Sequence, residues 1–567
     1  MYLLLIVLVP FLAIVPVWWA ARLSRRASAG VALAAPLAGL GLLSTLVGDV
    51  FAGETLVHSF PWIERLGLSL AFRLDGLAML FALLILGIGA LVVLYGYYYL
   101  TEDDPIGEFY AMLMTFMGAM LGVVLSENLI LLAIFWELTS ISSFLLIGYW
   151  THLSEARKGA RLALGITGAG GLCLLGGVIL LGHIAGSYEL SVVLESAATI
   201  QNHPLYEVTL VLVLLGVFTK SAQFPFHFWL PNAMTAPTPV SAYLHSATMV
   251  KAGVFLLARL HPALAGTPLW LYLVGGVGVV TMVFAAYVAL FKHDLKGLLA
   301  YSTISHLGII TALFGFGTKM AVVAGVFHIM NHAAFKASLF MSAGIVDHEA
   351  GTRDARVLSG LRHSMPITFV LALLGAAAMG GAPLFNGFLS KELFFEEAFH
   401  LMEHSALADF GASAWAVPAL VTIGGLFSVA YSIRFIADVF FGPEAEDLPG
   451  HPHDPPVGMW TPVAILVAIC VAVGVAPAFV AGTFLRTTAA PVLGSTMPEF
   501  HLALWHGLPP ALFMTLIAVS LGALAYWRWR DIHKLNLSLP AVTGRGIFER
   551  GVELARAVAK SLHGFID

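Results

Sequence analysis

The sequence predicts an all-α polytopic membrane protein of about 14 to 15 transmembrane helices, built as two inverted five-helix repeats with helices 7 and 12 broken. Three observations carry this expectation. Apolar runs of about 20 residues recur from end to end, each long enough to cross a hydrocarbon layer of about 30 Å. The chain is 59% hydrophobic and 11% charged, where a soluble domain carries roughly 25% charged residues. Helix breakers interrupt two runs in corresponding places: Pro225 in TKSAQFPFHFW, and Gly380, Gly381 and Pro383 in AMGGAPLFNGFLSKEL, each beside a lysine.

Taken in order, the runs place spans at 2–21, 30–50, 72–100, 107–124, 127–148, 158–183, 207–229, 240–260, 268–291, 297–315, 319–345, 366–399, 415–442, 461–485 and 508–528. The first has no basic residue ahead of it and no small-residue cleavage pattern before Arg22, so it reads as a retained span, with Trp18 and Trp19 at the interface. If the amino terminus is outside, Arg22, Arg25, Arg26, Arg157, Lys158, Arg161, Lys292, Lys296, Arg353, Arg356 and Arg362 fall in inner loops. Only Arg65, Arg73, Arg259, Lys319 and Arg486 fall in outer ones, and the positive-inside rule therefore favours that orientation. The expected units are N-terminal helices (1–105), a first half with helices 4–8 (106–262), a second half with helices 9–13 (263–443), C-terminal helices (444–530) and a tail (531–567). In the tail, Phe548, Val552, Leu554, Ala555 and Val558 recur at near-helical spacing among charges. That pattern fits an amphipathic helix on the inner surface or against a partner, and equally a solvated tail.

A net charge of -5 offers no basic footprint for nucleic acid. Cys173 and Cys470 both lie in apolar runs and read as packing residues. The chain has no nucleotide loop, no haem or iron–sulfur ligand set and no nucleophile triad, so neither a cofactor nor an enzyme is expected.

The chemistry lies inside the membrane. Glu137 is near the middle of its span, Lys220 sits roughly 20 Å along the seventh at 1.5 Å per residue, Lys251 is inside the eighth and Lys391 inside the twelfth. At roughly 2.5 to 3.5 kcal/mol each, four such charges cost about 10 to 14 kcal/mol if nothing relieves them. A lysine near a helix end can snorkel to the interface, a reading most open for Lys391 because its helix is broken. The physical use of such groups is a change of protonation: burial disfavours the ammonium and a nearby carboxylate favours it. Glu137 and Lys220 are the natural switch pair. His328, His332 and Lys336 follow at i, i+4 and i+8 and share one stripe of the eleventh span, which fits a proton wire. Two histidines at that spacing can also hold zinc, but no carboxylate or cysteine recurs at ligand spacing nearby, so no metal is expected. His227, His245 and His306 are auxiliary candidates, and the tenth span has no counterpart of Glu137.

The stretches FWELTSISSFLLIGYW, FPFHFWLPNAMTAPTPVSAYLHSATMVKAGV, LKGLLAYSTISHLG, HIMNHAAFKASLFMSAGIVDHEAGTRD and PLFNGFLSKEL resemble the antiporter-like family that includes the large membrane subunits of respiratory complex I and of the Mrp multisubunit cation/proton antiporters. The resemblance covers about residues 60 to 480, and IVDHEAGTRD followed by LFNGFLSKE is most similar to the MrpA-type subunit. It implies proton transfer by Glu137, Lys220, Lys251, His328, His332, Lys336 and Lys391 in a hetero-oligomeric membrane complex that exchanges protons, with Na+ the expected second ion. It leaves open a proton-pumping subunit of a redox complex of the NADH-quinone oxidoreductase type. The family's subunit continues past an amphipathic lateral helix into further spans, which implies that those helices lie on another polypeptide or that this is a shorter relative.

Overall fold

A computed structural model describes residues 1–63, 65, 67–404, 414–504, 507–538, 546 and 553. Two helices, α1 (Tyr2–Ala20) and α2 (Arg25–Ser44), and a short α3 (Val47–Phe51) lead into a hairpin of β1 (Leu56–Ile63) and β2 (Leu68–Leu74), paired antiparallel from Leu56 opposite Leu74. Helix α2 begins five residues earlier than expected, because Ser24 accepts the Ala27 N–H and caps it there. Arg25 and Arg26 therefore occupy its first turn, not a loop. The hairpin departs from the all-helical expectation, since hydropathy alone merges Phe72–Leu74 into the next span.

Helix α4 (Gly76–Tyr99) is capped by Asp75, and α5 (Ile106–Leu125), α6 (Leu129–Ile147, capped by Asn128) and α7 (Ser154–Ala185) follow. Beyond the short α8 (Leu190–Glu195) and α9 (Ala197–Gln201), α10 (Tyr206–Lys220) stops at its lysine and resumes only as the single turn α11 (Trp229–Asn232). The eighth span is also broken, which the sequence did not foretell: α12 (Thr238–Ser246) ends before α13 (Met249–Leu264) begins. Next, α14 (Pro268–Trp270) runs through a π turn into α15 (Gly276–Leu290), followed by α16 (Leu295–Gly315) and the long α17 (Lys319–Ala350). Helices α18 (Pro366–Gly380) and α19 (Asn386–His404) form the broken twelfth span. The chain closes with α20 (Ala416–Phe440), α21 (Val457–Val475), a second π turn into α22 (Thr483–Leu493), α23 (Pro510–Trp527) and α24 (Trp529–Ser538). The expected tail residues Phe548, Val552, Leu554, Ala555 and Val558 lie outside the described residues.

Among the described residues, twelve helices are long and apolar enough to cross a membrane. The three expected spans beyond these are α10, α17 and α18–α19, the elements that are short, polar or interrupted because they carry Lys220, the His328 to Lys336 stripe and Lys391. Of these three, α17 is almost wholly buried, whereas α10 exposes Val208 and Val211 and α18 exposes Ile367, Val370 and Leu373.

Of the basic residues expected in loops, Arg259 and Lys296 are instead buried and Arg73 is partly buried in β2. Arg259 lies in α13 and donates to both oxygens of Asp75, at 2.5 and 3.0 Å, while Arg73 donates to Asp75 at 2.9 Å and to Glu127 at 3.3 Å. Burial by itself would raise the Asp75 carboxyl, but the Arg259 and Arg73 guanidinium groups outweigh it and hold that carboxyl well below its usual range. Lys296 occupies the first turn of α16 and donates to the Ala236 carbonyl at 3.0 Å. At the same end of the bundle, Arg434 donates to His293 Nδ1 at 3.0 Å.

Candidate functional site

Both breaks expose backbone carbonyls because a proline four residues on has no N–H to give them. Pro225 leaves the Ser221 carbonyl to the side chain of Gln223, which donates to it at 2.9 Å. Pro383 leaves the Met379 carbonyl free, and Lys391 donates to it at 2.7 Å. Gly381, at φ +84°, closes the end of α18; a Cβ there would stand 3.0 Å from the Lys391 Cδ, so the missing side chain also makes room for the lysine stem. The sequence that breaks the helix thus also builds the lysine's acceptor.

At the end of α10, Lys220 is completely buried and donates to Ser140 Oγ at 2.8 Å and to the Trp136 carbonyl at 3.4 Å. Its Nζ stands 5.4 Å from the Trp136 ring. Glu137 belongs to the same turn of α6, yet it forms no ion pair with Lys220; its carboxylate turns towards α7, and the buried Oε1 has no hydrogen-bond partner. Lys251 lies in the first turn of α13, directly after the break in the eighth span, and donates to the Ile329 carbonyl of α17 at 2.9 Å, linking α13 to α17. His245 is buried without a hydrogen bond at either ring nitrogen, and His227 stacks on Phe224 with centroids 5.9 Å apart.

Helices α16, α17, α19 and α20 hold an unbroken run of hydrogen bonds. Lys391 donates to Ser428 Oγ at 2.8 Å, Ser428 meets the Tyr431 hydroxyl at 2.9 Å, and that hydroxyl lies 3.4 Å from His306 Nε2. His306 Nδ1 meets His328 Nε2 at 2.9 Å, and His328 Nδ1 meets Ser390 Oγ at 2.9 Å. Lys336 stands apart from this run, donating to Ser302 Oγ at 2.6 Å and contacting Met379 Sδ at 3.1 Å. His332 is buried with neither nitrogen bonded, its ring 5.4 Å from that of His306.

Six of the seven principal candidates are therefore buried in the interior, and Glu137 is partly buried. The bonds, however, run between helices and not along the α17 stripe. His306 lies in α16, a helix that contains no acidic residue. Ser140, Ser302, Ser390, Ser428 and Tyr431 were not singled out from the sequence, although Ser428 and Tyr431 at i, i+3 within an apolar helix gave a usable signal.

Residues 126–414 match the family model described as NADH:quinone oxidoreductase/Mrp antiporter, TM, and residues 61–110 match that described as NADH-Ubiquinone oxidoreductase (complex I), chain 5 N-terminus. The chain belongs to the NADH:quinone oxidoreductase/Mrp antiporter membrane family. Within that family it is of the MrpA type. It is 55% identical over 505 residues to the A/B subunit of a probable K(+)/H(+) antiporter of Rhizobium meliloti, an alignment spanning 88% of this chain and 50% of the relative. With the A1 subunit of a Na(+)/H(+) antiporter of Staphylococcus aureus the identity is 41% over 537 residues, covering 91% of this chain and 67% of the relative. The chain thus spans about half the length of the first relative and two thirds of the second. A solved Mrp complex from Dietzia sp. contains a chain that superposes with a TM-score of 0.89 at 34% identity, over 99% of this chain and 60% of that one. The archaeal membrane-bound sulfane sulfur reductase shares the fold, with a TM-score of 0.75 at 23% identity over 87% of this chain and 97% of that one.

Proposed function

We propose that this family member is the proton-translocating subunit of a multisubunit monovalent cation/proton antiporter of the cell membrane, working with other membrane subunits and with its amino terminus outside. The observation that carries the reading is the buried run of hydrogen bonds from Lys391 through Ser428, Tyr431 and His306 to His328. Each member can accept one proton and release another. A proton leaving the Lys391 ammonium passes to the Ser428 hydroxyl, which releases its own to Tyr431; Tyr431 releases one to His306 Nε2, and His306 gives up the proton on Nδ1 to His328. Lys251, bonded to α17, and Lys336 extend the path towards Lys220 and Glu137 in the first half. Residues 106–262 and 263–443 are the two halves in this reading, each with its own broken helix and lysine. The relatives named for K+ and for Na+ leave the exchanged ion as a monovalent cation, and the cation path belongs to the assembled complex.

The test is exchange in membrane vesicles that contain the complete set of co-expressed subunits. Addition of Na+ or K+ is expected to shift the internal pH, and Glu137→Gln is expected to abolish that shift while the complex still assembles. A purified complex that contains iron–sulfur proteins and performs no such exchange would replace this reading with redox-driven pumping.

A further inference from the structure

The Glu137 carboxylate lies where a side chain of α7 would otherwise be. At Gly171 the three nearest atoms to a hypothetical Cβ all belong to Glu137: the methyl would overlap Oε1 outright and stand 2.7 Å from Cδ and 3.4 Å from Oε2. Oε1 is buried there without a hydrogen-bond partner. Meanwhile Lys220 rests on the Trp136 carbonyl and Ser140, one residue before and three after Glu137 on the same helix. Lys220 of α10 thus rests against the stretch of α6 that carries Glu137 without forming an ion pair with it, and the carboxylate is turned into the gap that Gly171 leaves.

We propose that Gly171 is a positioning residue for proton transfer, its missing side chain forming the notch in which the Glu137 carboxylate rests unpaired from Lys220. The inference builds on the assignment of Glu137 as a proton-transfer group. An ion pair held in place would fix the ammonium and stop its proton from leaving; a notch lets the carboxylate alternate between a resting position against α7 and a position near the lysine. The neighbouring glycines separate this role from packing. At Gly165 and Gly168, on the same helix, a Cβ would meet nothing within 4 Å, whereas at Gly170 it would overlap Thr219 Oγ1. Alanine also favours a helix over glycine, so the change at Gly171 does not weaken α7 itself.

The experiment compares cation-driven exchange by the whole complex carrying Gly171→Ala, Gly165→Ala, Gly168→Ala, Glu137→Gln and the double change Gly171→Ala with Glu137→Asp, with assembly followed on native gels. Gly171→Ala is expected to lose at least tenfold in exchange while the complex assembles, and the controls at Gly165 and Gly168 are expected to stay within twofold of the parent. The shorter aspartate restores the space that the new methyl takes, so the double variant is expected to exceed Gly171→Ala alone. Normal exchange in Gly171→Ala beside a dead Glu137→Gln overturns the notch and leaves Glu137 in place; normal exchange in Glu137→Gln overturns both. A loss in Gly171→Ala that aspartate does not relieve means packing alone and overturns the proposal. If Gly171→Ala fails to assemble, Gly171→Ala with Glu137→Ala, which removes the overlapping atoms, must assemble; its failure also overturns the proposal.

Discussion

Tyr431→Phe removes one oxygen and keeps the ring that fills the space between α20 and α16. Among the described residues that oxygen is the sole direct link between the Lys391–Ser428 pair and the two histidines, at 2.9 Å from Ser428 and 3.4 Å from His306 Nε2. For stability the loss is modest: about 0.5 to 1.5 kcal/mol for one net hydrogen bond, since the longer contact to His306 is weak. Transport is hit harder. Every turnover that uses the path then has to bring a proton to His306 Nε2 with no donor beside it, and an unsatisfied buried polar group costs about 1 to 3 kcal/mol. At about 1.4 kcal/mol per factor of ten, this slows exchange by roughly 5- to 150-fold. The assay is cation-driven pH change in vesicles, with the amount of assembled complex measured in the same membranes. Exchange within twofold of the parent at all cation concentrations would refute the relay, because no other bonded route among the described residues leads from Lys391 to His306.

Lys391→Arg is expected to block exchange with assembly intact, because a guanidinium does not give up its proton near neutral pH; near-normal exchange in the same vesicle assay would make this lysine an electrostatic fixture. His306→Ala is expected to reduce exchange more than His332→Ala, since His306 bonds on both sides and His332 on neither; the reverse order in one vesicle preparation would put the path along α17. Arg259→Met strips the buried Asp75 of its two-pronged partner and is expected to destabilise the chain by about 3 to 5 kcal/mol, read as a lowered Tm of the solubilised complex, with part of the loss regained by adding Asp75→Asn. Burial and the Arg434 guanidinium hold the His293 imidazole below its usual range, so the folded chain binds that proton less readily than the unfolded chain. The resulting stability is complete above about pH 6.5 and falls as pH drops through and below that value; His293→Gln is expected to flatten this part of the Tm-against-pH curve.

What the sequence disclosed and what it withheld follow from one cause. Hydropathy reports the cost of placing a residue in lipid, so it found the twelve apolar helices and also flagged Glu137, Lys220, Lys251, Lys336 and Lys391, whose charges stand out against apolar text. It also flagged the helix breakers Pro225, Gly380, Gly381 and Pro383, because proline and glycine act on the backbone through local rules, but it missed the interruption between α12 and α13. Hydropathy says nothing about which helix faces which. The path from Lys391 crosses from α19 to α20, then to α16 and α17, over sequence separations of 37, 125 and 22 residues, and only packing brings those groups together. For the same reason the stripe on α17 looked like a wire: its spacing is regular along one helix, whereas its hydrogen bonds are satisfied across three. Serine and tyrosine cost little in a helix and carry no charge, so Ser140, Ser302, Ser428 and Tyr431 left a weak mark in the sequence although each bonds to a buried lysine or histidine, or to the hydroxyl that holds one. The Arg259–Asp75 clamp escaped by the opposite route, because arginine was taken as a marker of a loop. Once a carboxylate from another segment pairs with it, as Asp75 does, the charge no longer needs water, and counting arginines by loop then misplaces the residue that ties α13 to α4.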